Sequence, residues 1–162
     1  MLQVKRPRYD ELKETLQLLL VFREEFSDIY PDADIGKVAV TIQHHFDNGF
    51  MCNAYVDQRL IGTIGAISSE WWFSEKKFLA ETWFYVLPKH RNFKIVRGLL
   101  NKMKDYAKNK KLVLQLPISS GKDSPALYKK LVLQLPISSG KDSPALYKKL
   151  GFKHMGNIWR YE

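Results

Sequence analysis

Residues Phe78–Lys110, FLAETWFYVLPKHRNFKIVRGLLNKMKDYAKNK, decide the fold of this chain. The stretch opens with aromatic, β-branched and small residues whose polar members are spaced two apart, which predicts a strand over Phe78–Leu87. Side chains of a strand alternate between its two faces, so the pattern places Glu81, Trp83 and Tyr85 on one face. The sequence therefore predicts a strand with one face that carries a carboxyl group and two aromatic side chains.

The second half of the stretch predicts an amphipathic helix. Its apolar residues recur every three or four positions: Ile95, Val96, Leu99, Leu100, Met103, Tyr106 and Ala107. Pro88 ends the preceding strand because it has no N–H to donate, and the basic turn Lys89–Lys94 follows. The first N–H groups of a helix lack partners within the helix and attract anions. We interpret this turn as the binding site of a phosphate-bearing cofactor.

Length and composition indicate one domain with a sizeable core, spanning residues 1–162. The net charge of +9 has three interpretations: attraction of a polyanionic cofactor, binding of nucleic acid, or a solvated lysine-rich surface. Cys52 is the only cysteine, so no internal disulfide and no cysteine-based metal site is expected. We expect no metal. We also expect no membrane association, because no apolar run reaches the roughly 18 residues of a membrane span. A cytoplasmic location follows as the default expectation.

The rest of the chain predicts helices and strands on both sides of this stretch. Helices are expected over residues 11–26 and from Asp34 to Gly49, and strands over residues 2–4, 50–56 and 60–68. Gly62 and Gly65 lie inside the last of these strands and indicate a bulge or a close approach of the backbone.

Two groups of aromatic and histidine residues have more than one interpretation. His44 and His45 lie near the end of the second helix, where they are interpreted as surface residues that interact with the helix dipole, with metal ligation as the alternative. Residues 70–77 are predicted to form a loop, whose side chains Trp71, Trp72 and Phe73 either line a substrate pocket or cap the core.

The C-terminal part contains an identical tandem repeat. Residues 112–130 read LVLQLPISSGKDSPALYKK, and residues 131–149 repeat them without a change. Each copy predicts a strand, a polar loop and the start of a helix. Two identical units with nothing similar elsewhere are too few for a solenoid. We expect one copy to be the native element and the other to be an insertion.

Two motifs resemble the GNAT superfamily of acyl-CoA N-acyltransferases. The order Val86-Leu87-Pro88-x-x-Arg91 is similar to the end of the family's fourth strand and the start of its acyl-CoA loop. The sequence Tyr-Lys-Lys-Leu-Gly-Phe at residues 147–152 is similar to its last helix and exit glycine, which favours the second copy of the repeat as the native helix. The length and the Trp-rich segment also resemble small acetyltransferases encoded by tailed bacteriophages.

The resemblance implies an α+β fold, with a central mixed, mostly antiparallel sheet of six to seven strands and about four flanking helices. It implies an enzyme that moves an acyl group, most simply acetyl, from acetyl-CoA to a small-molecule or protein amine by direct transfer. A monomer or homodimer is expected, in the host cytoplasm if the gene belongs to a phage. The alternative is a GNAT-like scaffold that has lost cofactor binding and binds nucleic acid or an acidic protein.

The resemblance also implies site residues. Glu81 is expected to act as the base, with a paired glutamate at the sheet edge as the alternative. Tyr147 (or Tyr128 in the first copy) is expected to protonate the leaving thiolate, with an ordinary packing tyrosine as the alternative. Trp71, Trp72 and Trp83 are expected at the substrate pocket. The residues expected to bind the cofactor are Tyr85, Val86, Leu87, Arg91, Asn92, Phe93, Lys94, Ile95, Val96 and Arg97.

The acyl-CoA loop departs from the family pattern Arg/Gln-x-x-Gly-x-Gly/Ala. Lys94 and Val96 stand where that pattern has glycines, which let a backbone approach the pyrophosphate closely. Either the loop shifts and the charges of Arg91, Lys94 and Arg97 replace some N–H contacts, or cofactor binding weakens.

Overall fold

The computed structural model describes residues 1–27, 31–117, 153–155 and 158–161. Its helices in these ranges are α1 (Leu12–Glu25), α2 (Ile35–Asn48) and α3 (Phe93–Asn109). Its strands are β1 (Leu2–Lys5), β2 (Phe50–Val56), β3 (Arg59–Trp71), β4 (Ser74–Val86), β5 (Val113–Pro117), β6 (Lys153–Met155) and β7 (Ile158–Tyr161). Single 3-10 turns, Tyr9–Glu11 and Pro88–His90, precede α1 and α3.

These strands form one mixed sheet in the order β1-β2-β3-β4-β5-β7-β6. Neighbouring strands are antiparallel except β4 and β5, which are parallel. A parallel pair needs a crossover connection, and α3 supplies it. The fold class is the expected α+β. The expected number of about four helices is not matched, because the described residues contain three and the helix expected around Tyr147 falls outside them.

Helices cover both faces of the sheet. The apolar stripe predicted for α3 packs on one face, where Leu99, Leu100 and Met103 are fully buried against strand residues such as Ile64 and Leu79. On the other face, α1 and α2 enclose a second cluster, formed by Leu19, Ile42, Met51 and Trp83. Burying a large apolar side chain contributes about 1.5–3 kcal/mol, so these two clusters fix the orientation of β4 between the helices.

The hairpin of β3 and β4 is longer than the sequence predicts. The loop expected at residues 70–77 is wrong, because both strands continue through it and only Trp72 and Phe73 remain as the turn. Cross-strand pairing and aromatic contacts extend the ladder: the ring centroids of Trp71 and Phe78 lie 4.6 Å apart. The hairpin therefore carries two exposed aromatic side chains at its tip, with Trp72 94% exposed.

The tandem repeat enters the described sheet through its first copy. β5 comes from residues 112–130, and it pairs with β4 on one side and β7 on the other. The rest of that copy and all of residues 131–149 lie outside the described residues. That one copy is an insertion stays a prediction.

Candidate acyl-transfer site

The sheet forks where β4 and β5 part. The two strands pair only at three positions, Phe78 with Val113, Leu79 with Leu114 and Ala80 with Gln115. β5 continues to Pro117 as a partner of β7, so β4 has no neighbour on this side after Ala80 in the described sheet. The C-terminal half of β4 therefore presents a backbone edge that no strand of the described sheet pairs with.

A β-bulge lies at the fork. In the pairing with β3, Glu81 stands opposite Ala66 and Trp83 opposite Gly65, so Thr82 is an extra residue without a cross-strand partner. The sequence predicts a bulge or a close approach of the backbone at the glycines of β3, and the register shifts beside Gly65, where a Cβ would meet indole atoms of Trp83 at 2.3–2.6 Å. A bulge bends its strand and increases the local twist, which is how β4 turns away from β5.

The bulge corrects the predicted faces of β4. Ala66, opposite Glu81, belongs to the core cluster under α3, so Glu81 lies on the α3 face. Trp83 and Tyr85 pack with α1 and α2 on the other face. The prediction that Glu81 shares a face with these two aromatic residues is wrong, because strict alternation fails at the extra residue.

The backbone of β4 beyond the bulge offers hydrogen-bonding groups to the fork. The N–H of Leu87 donates to the carbonyl of Ile61 at 2.8 Å, and the residues of an antiparallel pair exchange such bonds at every second position. Phe84 and Val86 therefore direct their backbone groups away from β3. Consistent with this, the Val86 carbonyl accepts a hydrogen bond from Nε of Arg91 at 2.8 Å. The N–H of Val86 and both backbone groups of Phe84 face the edge that β5 has left.

A buried oxygen atom on β5 adds an acceptor at the same place. Gln115 pairs with Ala80, one residue before the bulge, and its Oε1 atom is buried without a hydrogen-bond partner. An unsatisfied buried acceptor costs about 1–3 kcal/mol, so it is favourable for a ligand N–H to occupy this position.

The turn between β4 and α3 has the features of an anion site. Asn92 caps α3, and its side chain accepts a hydrogen bond from the N–H of Ile95 at 3.1 Å. The N–H groups of Phe93 and Lys94 have no acceptor within the helix, because they belong to its first turn. Lys89, Lys94 and Arg97 are exposed around this end of the helix.

The residues that replace the family's glycines do not cover this helix end. Val96 is buried in the core beneath α3, with 3% of its surface exposed, and Lys94 is exposed to solvent. Helical geometry explains the difference, since residues two positions apart do not share a face. The side chain of Val96 therefore lies away from the solvent side of this helix end, and that of Lys94 lies on it.

Arg91, predicted to bind the cofactor, forms an internal ion pair instead. One of its terminal nitrogens, Nη2, lies 2.8 Å from both carboxylate oxygens of Glu25 at the end of α1. Tyr85 donates its hydroxyl to the same carboxylate at 2.7 Å. Nη1 of Arg91 is buried without a partner. This network joins the end of α1 to the last residues of β4 and holds the unpaired edge in place.

Glu81 is a half-buried carboxyl that forms no hydrogen bond or ion pair with the other described residues. Burial raises its pKa to about 8, because an ionised carboxylate is poorly solvated between strand and helix. In the described part of the chain, no basic side chain pairs with Glu81 as the alternative of a paired glutamate at the sheet edge requires. At pH 7 about one tenth of the molecules carry it ionised.

Thr82 is a functional candidate that the sequence analysis does not identify, and His45 is one for which it considers only metal ligation. His45 is buried, with 3% of its surface exposed, and its Nε2 atom lies 2.6 Å from Oγ1 of Thr82. The interpretation of His45 as a surface residue is wrong, because α2 turns it towards β4. The spacing of Val38, Ile42 and His45 continues the apolar stripe of α2 and is the signal that could have shown this.

The aromatic residues expected at a substrate pocket do not lie together. Trp83 is a core residue, with its indole N–H 3.2 Å from Oγ1 of Thr63. Trp71 contacts Phe78, and Trp72 lies at the exposed turn of the hairpin. Tyr147 and Tyr128, the expected proton donors, lie outside the described residues.

No three His, Cys, Asp or Glu residues in the described ranges cluster as metal ligands, and no helix there is long and apolar enough to cross a membrane.

Comparison with solved structures shows the same fold across this chain. A predicted acetyltransferase of Clostridium acetobutylicum, solved with acetyl-CoA, has a TM-score of 0.66 at 15% identity, covering 96% of this chain and 92% of its own. A GNAT-family acetyltransferase of Staphylococcus aureus has a TM-score of 0.67 at 17% identity, covering 99% and 98%. The PaiA N-acetyltransferase of Thermoplasma acidophilum, solved with coenzyme A, has a TM-score of 0.60 at 16% identity, covering 99% and 96%.

Comparison of sequences gives the family directly. No curated protein sequence matches the chain significantly. The sequence model described as "Acetyltransferase (GNAT) family" matches residues 15–132, a range that holds most of α1, all of α2 and α3, the forked strand and the basic turn. The chain therefore belongs to the acetyltransferase (GNAT) family.

Proposed function

We propose that this protein transfers an acetyl group from acetyl-CoA to an amine by direct attack. The observation that carries the proposal is the fork between β4 and β5, whose unpaired edge ends at the free N–H groups of α3. An extended ligand with amide groups and a phosphate at one end fits this arrangement. Acetyl-CoA supplies an acyl thioester when it is bound.

The chain's own residues would hold such a ligand at two places. At the fork, the N–H of Val86, the backbone groups of Phe84 and Oε1 of Gln115 would pair with the amides of the pantetheine arm, as a peptide strand adds to a sheet edge. At the helix, the N–H groups of Phe93 and Lys94 would receive the pyrophosphate.

Charge strengthens the helix end of this site. Lys89, Lys94 and Arg97 would neutralise the phosphates, and a charge-assisted hydrogen bond is about twice as strong as a neutral one. The side chain of Arg91 does not contact the phosphates in this proposal, because its guanidinium forms an ion pair with Glu25. We assign Arg91 the role of holding the Val86 carbonyl, and therefore the edge of β4, in position.

An amine acceptor must lose a proton before it can attack. A lysine-like amine of pKa about 10.4 is neutral in about one molecule in 2,500 at pH 7, at a cost of roughly 4.6 kcal/mol. We propose Glu81 as a titrating carboxyl of the site, which accepts a proton in its ionised fraction and can donate one when neutral. Activity should therefore rise with pH towards about 8 if Glu81 acts as the base.

Binding of acetyl-CoA to the purified protein tests the proposal. A ligand present at 100 times its Kd adds about 2.7 kcal/mol of stability, which is a rise in Tm of about 5–11 °C for a chain of this length. Release of free thiol with tyramine, spermidine or a lysine-containing peptide as the acceptor then measures transfer. No change in Tm with millimolar acetyl-CoA would refute the proposal.

A matched pair of charge reversals on α3 locates the phosphate site. Lys94→Glu at the first turn should weaken acetyl-CoA binding about 10-fold or more, because it places a negative charge beside the pyrophosphate. Lys108→Glu, an exposed position in the last turn of the same helix, is the control and should leave the Kd within about twofold. Equal effects of both changes would place the phosphates elsewhere.

A further inference from the structure

The hydrogen bonds of His45 fix which of its ring nitrogens carries the proton. Nδ1 lies 2.8 Å from the backbone carbonyl of Thr41, one turn earlier in α2. A carbonyl oxygen only accepts, so Nδ1 must donate, and in the neutral ring Nε2 then carries a lone pair. Nε2 lies 2.6 Å from Oγ1 of Thr82, which therefore donates its hydroxyl hydrogen to the imidazole.

Thr82 occupies a special place in the sheet. It is the extra residue of the bulge, two positions beyond the last pair of β4 with β5, and it is exposed. Its hydroxyl points to α2, on the face opposite to Glu81. The fork therefore has an ionisable carboxyl on its α3 side and a hydroxyl backed by an imidazole on its α2 side.

The surroundings of His45 keep the imidazole neutral. Burial lowers its pKa below the ordinary value, the nearby His44 acts in the same direction, and the hydrogen bond to the Thr41 carbonyl opposes them. The indole of Trp83 lies against the ring, with centroids 4.5 Å apart, and holds it in place. Among the described residues, His44 is the titratable group whose charge acts on His45. A neutral, oriented imidazole that accepts from a hydroxyl has the arrangement of a general base with its orienting partner.

We propose that Thr82 and His45 form a proton relay that takes the proton of the acceptor amine during acyl transfer. The inference rests on the proposed function and assigns the path of the proton. The neutral amine nitrogen forms its bond to the acyl carbon, and the carbon–sulfur bond breaks with its electron pair on sulfur. The amine proton passes to Oγ1 of Thr82 while the proton of Thr82 passes to Nε2 of His45. The hydroxyl of Thr82 then gives a proton to the departing sulfur, and Nε2 of His45 returns its added proton to Oγ1, so both side chains end in their starting protonation states and the thiol leaves neutral.

Two conservative changes at Thr82 test the relay. Thr82→Val removes the hydroxyl and keeps the shape, whereas Thr82→Ser keeps the hydroxyl. We expect Thr82→Val to lower kcat about 100-fold with the best of the three amines, with the calorimetric Kd of acetyl-CoA unchanged. Thr82→Ser should retain kcat within about fivefold. Full turnover by Thr82→Val would overturn the relay.

Nitrogen-15 NMR of the free protein provides a test that needs no turnover. His45 should show protonated Nδ1 and unprotonated Nε2 at pH 7, and Thr82→Val should shift the Nε2 signal and raise the pKa of the ring, since the neutral form loses a donated hydrogen bond. A ring protonated at Nε2 would overturn the proposal, as would an acetyl ester on Thr82 detected by mass spectrometry, since the hydroxyl would then be a nucleophile.

The failures of the two proposals are distinguishable. If the parent protein neither binds acetyl-CoA nor releases thiol, the transferase function fails and the relay fails with it. If the parent turns over and Thr82→Val does so equally well, the function stands and the relay alone is refuted.

Discussion

Replacing Glu25 with glutamine should strongly destabilise this protein, although the residue lies at the end of a helix. The change keeps the shape of the side chain and removes the charge that faces Arg91. The guanidinium of Arg91 is 1% exposed and lies 2.8 Å from the Glu25 carboxylate, which is itself 22% exposed. Glutamine at this position therefore leaves a buried positive charge without its counter-ion.

The burial of the pair sets the magnitude of the effect. Removing one partner of a buried ion pair costs about 3–5 kcal/mol, and the partial exposure of Glu25 places the expected loss near 3 kcal/mol. For a domain of this length 1 kcal/mol corresponds to about 2–4 °C in Tm, so Tm should fall by about 6–12 °C. The hydrogen bond from Tyr85 can persist with the glutamine oxygen, which keeps the loss near the lower limit.

Urea denaturation of Glu25→Gln and of a matched control measures this loss. Glu70 forms an ion pair with Lys77 at 3.5 Å, and both side chains are 58% exposed. Glu70→Gln removes the same charge by the same chemical change, and it should alter the free energy of unfolding by less than about 1 kcal/mol. Equal losses in the two variants would refute the conclusion that burial makes the Arg91 pair important.

Two further variants examine the fork and the repeat. Glu81→Gln should change how the free energy of unfolding depends on pH. In the parent, Glu81 keeps its proton up to about pH 8 in the folded state and releases it near pH 4.5 in the unfolded state. Between these two pH values the free energy of unfolding of the parent should therefore fall by up to about 1.4 kcal/mol per pH unit relative to that of the variant. Urea denaturation at pH 5, 6.5 and 8 measures the difference, and parallel curves would contradict the buried position of this carboxyl. Deleting residues 112–130 should leave a folded chain of 143 residues, identical to the product of deleting 131–149, with a cooperative thermal transition and acetyl-CoA binding. An unfolded product would show that neither copy is an insertion.

Local patterns predicted the elements that build the fork. Alternation and β-branched residues identified β4, Pro88 marked its end, and the apolar stripe from Ile95 to Ala107 identified α3, because these signals lie within one element. The bulge was visible only indirectly, through Gly65. Alternation alone cannot show an extra residue, so Glu81 was assigned to the wrong face.

The contacts that define the site join distant parts of the sequence. Arg91 meets a partner 66 residues away, and His45 meets Thr82 across 37 residues. Neither partner is marked by a motif, so the sequence assigned Arg91 to the cofactor and His45 to the surface. These roles depend on how α1 and α2 pack on β4, which is a tertiary property and not a local one.

The extra residue Thr82 is not required for the pairing of β3 with β4, but it produces the bend at the fork where the proposed transfer takes place. Its neighbours Glu81 and Trp83 stand opposite Ala66 and Gly65, which are adjacent in β3, so a chain that lacked Thr82 could form an uninterrupted ladder with every other partner unchanged. Both core clusters would survive such a deletion, while the bend that opens the cleft would disappear. Deletion of Thr82 should therefore preserve the fold and abolish the proposed acyl transfer.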